Sequence, residues 1–281
     1  MWNYTEAFSR NHGLINLEEQ DILSRSKIAI AGMGGVGGHH LLTLARLGIQ
    51  NFTIADGDTF EVVNFNRQCG AVVDNIGENK AEVMAAECRK INPDAIIRRF
   101  NNIGFLNMAE FLSGVKVVVD GLDFYNICVR RMLFNEARNR GAWVVTAGPI
   151  GFSTAWLVFN PYGMSFDEYF DIHDYMCHNA CMAAFIAGLT PGGTHWKYID
   201  LKRVTKKFGP SVGFACNLCA GVVGAEVMKI LLDKPVRSAP YYSQFDAYRG
   251  IIKQGRLRFH NRGPLQLLKR RFIYNKLCAM T

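Results

Sequence analysis

Gly32-Met33-Gly34-Gly35-Val36-Gly37 matches the pattern G-x-G-x-x-G. Glycines at these spacings permit a tight turn and a close approach of backbone N–H groups to phosphate. Asp56 lies nineteen residues after Gly37, where a carboxylate accepts ribose hydroxyls. These residues point to a nucleotide without separating a dinucleotide redox cofactor from ATP. The next segment separates them. Asn64 and Arg67 are three apart, which puts both on one face of a helical turn, and Gln68 and Lys80 follow. A hydride-transfer enzyme has little use for two cations beside its diphosphate. An enzyme in which something attacks the α-phosphorus of a triphosphate needs them to neutralise the added charge. Asp123 follows the apolar run that ends at Asp120, just past a strand's carboxyl end, the place for a Mg²⁺ ligand facing the phosphates.

The elements that must hold these residues are legible as alternating strands and helices. Lys27–Ala31 and Asn51–Ala55 read as buried strands, the first entering the glycine loop and the second ending at Asp56. Further strands are expected over 95–99, 115–119 and 143–146, with helices over 78–91 and 126–140 between them. This alternation predicts an α/β fold: a Rossmann-like mixed, mostly parallel sheet with helices on both faces. Residues 155–159 are expected as an antiparallel strand, 161–209 as an irregular crossover segment, 211–232 as a helix and 241–248 as a last strand. His39 and His40 read as surface side chains of the helix after the loop. Asp167, Glu168, Asp171 and Asp174 read as an exposed acidic loop, and Cys69, Cys88 and Cys128 as core or near-core thiols.

The run from Lys27 to Asp123 resembles the ThiF/MoeB/HesA family, the bacterial relatives of ubiquitin-activating enzymes. The motifs that carry the resemblance are the glycine loop, Asp56, the N-x-x-R-Q motif Asn64–Gln68, Lys80 and Asp123. The resemblance implies a carboxylate adenylated with ATP and Mg²⁺ and the release of pyrophosphate. It implies that Gly32, Gly34, Gly35, Gly37, Asp56, Asn64, Arg67, Gln68 and Lys80 hold the nucleotide, and that Asp123 holds Mg²⁺. Phe8-Ser9-Arg10-Asn11 matches the family's aromatic-x-Arg pattern, whose arginine reaches into the partner subunit's site, so a homodimer is expected. One departure follows Asp123. The family reads Asp-Asn-x-x-x-Arg, whereas Asp123-Phe-Tyr-Asn-Ile-Cys-Val-Arg130-Arg131 is two residues longer, so no role is carried onto an arginine there. Zinc-bearing members use two C-x-x-C pairs. Cys216 and Cys219 form one such pair, and Cys177 and Cys181, one residue too widely spaced, stand where the other would be. Cys177 and Cys181 also lie in the segment from which a thioester-forming cysteine comes in related enzymes.

Composition bounds the rest. The chain has 281 residues and a formal charge of +8, with eight Lys/Arg and no Asp or Glu from Gly250 to Thr281. Residues 1–249 therefore hold 24 basic and 24 acidic side chains, which excludes a whole-surface nucleic-acid binder. The division expected is an adenylation domain over 1–249 and a basic tail over 250–281 that ends in an amphipathic helix. The tail's readings are contact with tRNA, with an anionic membrane surface or with an acidic partner, against a docked helix with a solvated basic face. No apolar run reaches membrane-spanning length and Met1–Asn11 has no apolar core, so the expected compartment is the cytoplasm. The acyl substrate expected first is the C-terminus of a ubiquitin-like or sulfur-carrier protein. The stretch Asn64–Pro93 also resembles the tRNA threonylcarbamoyladenosine dehydratases. An NAD-dependent oxidoreductase is the third alternative.

Overall fold

The computed structural model describes residues 1–198 and 210–279. Eight strands form one sheet: β1 Lys27–Ala31, β2 Asn51–Ala55, β3 Ile96–Phe100, β4 Val117–Asp120, β5 Trp143–Ile150, β6 Ser153–Phe159, β7 Tyr241–Asp246 and β8 Ile251–Arg256. Their order is β3-β2-β1-β4-β5-β6-β7-β8. The pairings from β3 to β5 are parallel, and those from β5 to β8 are antiparallel. The inner parallel strands β1, β2 and β4 are mostly apolar because both of their faces are covered, whereas β3 at the sheet edge carries Arg98 and Arg99 and is largely exposed. Along β1, Ile28 and Ile30 feed one core while Ala29 and Ala31 feed the other; along β4, Val117 and Val119 alternate with Val118 in the same way.

Helices α1 (Tyr4–Ala7), α2 (Leu17–Arg25), α3 (Gly37–Arg46), α4 (Lys80–Ile91), α5 (Met108–Phe111) and α6 (Ile127–Asn139) precede or link the first strands. Helix α9, Gly213–Leu231, has the length and apolarity of a membrane span. It packs instead as a core helix against α3, β4, β5 and β6, burying Cys216, Cys219, Val223 and Val227. Gly224 permits the close approach, since a Cβ there would stand 3.2 Å from the Thr43 methyl of α3.

The second half departs from the sequence expectation in three places. The crossover segment, read as irregular, contains α7 (Phe166–Phe170) and α8 (His178–Leu189), while residues 199–209 lie outside the described residues. A capping box at Ser165 and Glu168 starts α7. Every residue of α8 from Met182 to Leu189 is buried, so the helix shows no polar stripe to reveal its period. Its neighbourhood also ties down the acidic stretch: Arg131 takes Asp167 at 2.7 Å, and Arg262 and Arg270 each take Asp171 at 2.6 Å. Finally, the basic segment contains a strand as well as the docked helix that is one reading of it. Residues 251–256 are the edge strand β8, and α10 (Pro264–Cys278) packs on α8. An edge strand carries mixed polar residues on both faces, which hid β8 from the pattern.

Candidate functional site

The strand order reverses between β1 and β4, and a crevice opens at the carboxyl ends of such strands. The glycine loop fills that point. Gly32 has φ +89° and donates its N–H to the Ala55 carbonyl at 2.8 Å. A Cβ at Gly37 would overlap the Gly32 carbonyl oxygen. The loop feeds α3, whose N-cap residue Val36 provides no side-chain cap, so the first-turn N–H groups face the crevice as anion donors. Gly37→Ala is expected to cost about 1–3 kcal/mol through overpacking. ATP is expected to raise the melting temperature in a thermal-shift measurement, and Gly37→Ala should abolish that rise.

Asp56 braces this loop from β2. Its Oδ2 accepts from Met33 N at 2.7 Å and its Oδ1 from Asp58 N at 2.9 Å. Each carboxylate oxygen can accept a second bond, which leaves capacity for ribose hydroxyls. Lys80 opens α4 nearly buried, with Nζ 3.2 Å from Asp58 Oδ2. Arg67 lies against the loop: a Cβ on Gly35 would stand 3.7 Å from its Nε. Its Nη1 donates to the Val63 carbonyl and to Asn66 Oδ1, both at 3.0 Å. Gln68 reaches the loop at Gly34 and keeps a buried Oε1 with no partner among the described residues. Asn64 is buried and caps its own turn, accepting from Glu61 N at 3.0 Å.

Asp123 stands exposed just past β4, its Oδ1 accepting from Tyr125 N at 2.9 Å. What holds it there is Arg130, the residue on the lengthened segment to which no role was assigned. Arg130 is 3% exposed. Its Nε donates to Asp120 Oδ2 at 2.8 Å, and its Nη2 donates to the Leu122 and Asp123 carbonyls at 2.8 and 3.1 Å. Thr146 of β5 donates to the same Asp120 oxygen at 2.8 Å. Arg130 stands seven residues after Asp123, two beyond the family's spacing, and reaches back to the Asp123 carbonyl.

The histidines are not surface groups. His39 Nε2 lies 3.0 Å from the Arg67 carbonyl, so it positions the arginine's backbone. The His40 ring is fully buried, and burial pushes its pKa down to about 3, so it stays neutral. Cys128, expected as a core or near-core thiol, is instead exposed.

Arg10 is exposed on a short 3₁₀ turn, Ser9–Asn11. Asn11 fastens that turn to the far end of α3, donating to the Leu47 carbonyl at 3.3 Å. The glycine loop lies at the other end, about 15 Å away at the rise of a ten-residue helix. Arg10 is therefore seated away from its own chain's loop.

The cysteines do not form the expected zinc site. Among the described residues no group of three or more His, Cys, Asp or Glu could hold a metal. Cys219 lies 3.1 Å from Thr154 Oγ1, Cys216 stands near Ser211 and Gly35, and Cys181 faces the Met176 carbonyl. Burial raises the pKa of Cys216 and of Cys219. An ATP phosphate chain does fit the residues present, because Gly34 and Gly35 leave open space beside the bare backbone, with nothing nearer than 3.7 Å to where a Cβ would stand, and the loop ends in uncapped helix amides. A Mg²⁺ ion fits the exposed hard-oxygen donor of Asp123.

Known proteins resemble this chain in sequence and in fold. The tRNA threonylcarbamoyladenosine dehydratase of Escherichia coli is 35% identical over 150 residues, 53% of this chain and 55% of its own. A probable molybdopterin-synthase adenylyltransferase of Porphyra purpurea is 28% identical over 226 residues, 78% of this chain and 57% of its own. The chain thus spans a little over half the length of these curated relatives. Among solved structures, the E. coli dehydratase in complex with ATP superposes with a TM-score of 0.50 at 30% identity, over 54% of this chain and 65% of that one. E. coli MccB with AMPCPP and MccA reaches 0.68 at 20% identity, over 94% of this chain and 74% of that one, a likeness of fold. A family model described as the ThiF family matches residues 8–264. Glycine loop, cation pair, sheet order and family match agree over nearly the whole length: the chain belongs to the ThiF family.

Proposed function

We propose that this chain is an ATP-dependent adenylyltransferase that activates a carboxylate, the C-terminus of a small protein or peptide. The observation that carries this reading is a pair of cations near the loop: Arg67 against Gly35, and Lys80 on Asp58, whose N–H donates to the ribose carboxylate Asp56. Helix-terminal and loop amides hold the phosphates. A carboxylate oxygen of the substrate forms a bond to the α-phosphorus, and the bond from that phosphorus to the bridging oxygen breaks. The products are an acyl adenylate and pyrophosphate, and no side chain acts as nucleophile. Arg67 and Lys80 neutralise charge as it moves onto the leaving pyrophosphate. A Mg²⁺ ion on Asp123 would add charge neutralisation at the same phosphates. Arg10 completes the site of a second copy, which its seat at the far end of α3 supports.

The test is ATP–pyrophosphate exchange in the presence of candidate peptides and small proteins with free C-termini. Label from pyrophosphate should enter ATP only with the right acyl partner, and Asp123→Asn should remove that exchange. Exchange that ignores Asp123→Asn would count against the reading. A second substrate class, a carboxylate on a modified tRNA base, draws support from the identity with the E. coli dehydratase and from the eight cations after Gly250. Exchange stimulated by tRNA and by no peptide would favour it. The oxidoreductase alternative leaves Arg67 and Lys80 without a task, and family membership gives it no support.

A further inference from the structure

Helix α10 carries its polarity the wrong way round for a helix that docks only on its own body. Its inward side is polar over the first two turns and apolar only at its end, where Ile273 and Leu277 pack on α8. Gln266 is 4% exposed, and its Nε2 donates to the Ala187 carbonyl at 2.8 Å. Lys269 Nζ donates to the Pro191 carbonyl at 2.9 Å, and Arg270 pairs with Asp171. Ile273 is the helix's one apolar residue to be fully buried. The outward side is apolar. Leu265 and Leu268 are each 66% exposed and Phe272 is 49% exposed. Their i, i+3, i+7 spacing lines them up in one stripe. Phe259, 70% exposed, precedes the helix. The solvated basic face expected from the sequence is therefore a leucine and phenylalanine stripe with cations at its margins.

Those cations are the second observation. Arg271 and Lys276 flank the stripe, and the Lys276 ammonium stands 5.8 Å from the Phe272 ring centroid. Arg256 and Arg258 are exposed in the segment that leads to the helix, with no ion-pair partner among the described residues. Arg262 and Arg270 are held by Asp171 and do not join them. No carboxylate side chain lies anywhere from Gly250 onward.

An occupant must take aliphatic groups out of water and welcome positive charge. A second copy presenting the same face would oppose cation to cation. RNA offers phosphate and stacking but nothing for Leu265 and Leu268. The boundary of an anionic bilayer offers both, with acyl chains for the stripe and headgroups for its margins. We infer that α10 is an interfacial helix that seats this protein on an anionic membrane surface. Nothing in this inference depends on the reaction catalysed.

The experiment is co-sedimentation of the full chain with vesicles of phosphatidylcholine alone and of phosphatidylcholine mixed with phosphatidylserine. Binding is expected to the mixed vesicles only and to fall with salt. The Leu268→Glu/Phe272→Glu double variant should bind the mixed vesicles at least about tenfold more weakly. The Arg271→Glu/Lys276→Glu double variant should lose a comparable amount. Both alter exposed side chains, and unchanged circular dichroism and melting temperature verify the fold. Failure to bind mixed vesicles overturns the inference. So does binding indifferent to Leu268→Glu/Phe272→Glu, which would be electrostatic adhesion alone. Retention of that double variant's parent on tRNA but not on vesicles would assign the face to RNA. Conversion of a dimer to a monomer by the same double variant, seen by light scattering, would assign it to a second copy.

Discussion

Arg130→Met should lower the free energy of unfolding by about 3–5 kcal/mol, because it leaves the Asp120 carboxyl buried without its partner. The two side chains are only 4% and 1% exposed, and their contact is 2.8 Å. Urea denaturation followed by circular dichroism measures this. A second variant sharpens the result. Asp120→Leu combined with Arg130→Met removes both charges together, so much of the lost stability should return. Activity should not return with it, since the carbonyls of Leu122, Asp123 and Phe124 still lose the guanidinium that fixes them. Separate behaviour of stability and exchange in the double variant would identify Arg130 as the positioner of Asp123. A loss under about 1 kcal/mol in the single variant would mean that neighbouring packing, including Phe185 under the guanidinium, holds the loop unaided.

Arg67→Ala is expected to reduce ATP–pyrophosphate exchange by about a hundredfold to a thousandfold, the usual cost of deleting one preorganised group that meets developing charge. Stability should change little, because the Arg67 side chain anchors only to a local carbonyl and to Asn66. Lys80→Met keeps the length of the side chain and should show a similar loss of exchange. It should also free Asp58, whose carboxylate Lys80 holds at 3.2 Å. The ATP concentration dependence separates the roles. A lower kcat at unchanged KM places the cation on the transition state, and a raised KM alone places it on ground-state binding. Exchange that survives both substitutions would remove the cation pair from the mechanism.

The nucleotide half was legible because its signals are local. A strand, a glycine run and a helix occupy consecutive residues, and Asp56 follows at a spacing fixed by the βαβ unit. The signals that failed are those that depend on surroundings. Helix α8 has no visible period because it is apolar all round, and β8 has none because an edge strand satisfies neither face. His39 reads as a surface residue until the Arg67 carbonyl is found 3.0 Å from its ring. The Asp120–Arg130–Thr146 group spans β4, α6 and β5, so no window along the chain contains it. The zinc expectation failed for a related reason: spacing along the chain cannot show whether two cysteine pairs meet in space.

Helix α9 gives the two halves of the sheet a common fate. Its first turn lies against the nucleotide site, with Gly213 beside the Asn66 carbonyl and Cys216 beside Gly35, while its body rests on β5 and β6. The antiparallel strands thus cannot open as a separate cooperative unit while the glycine loop stays closed. A nucleotide that tightens the loop raises the opening free energy of α9 amides far from any phosphate, so occupancy of one end is written into the exchange protection of the other.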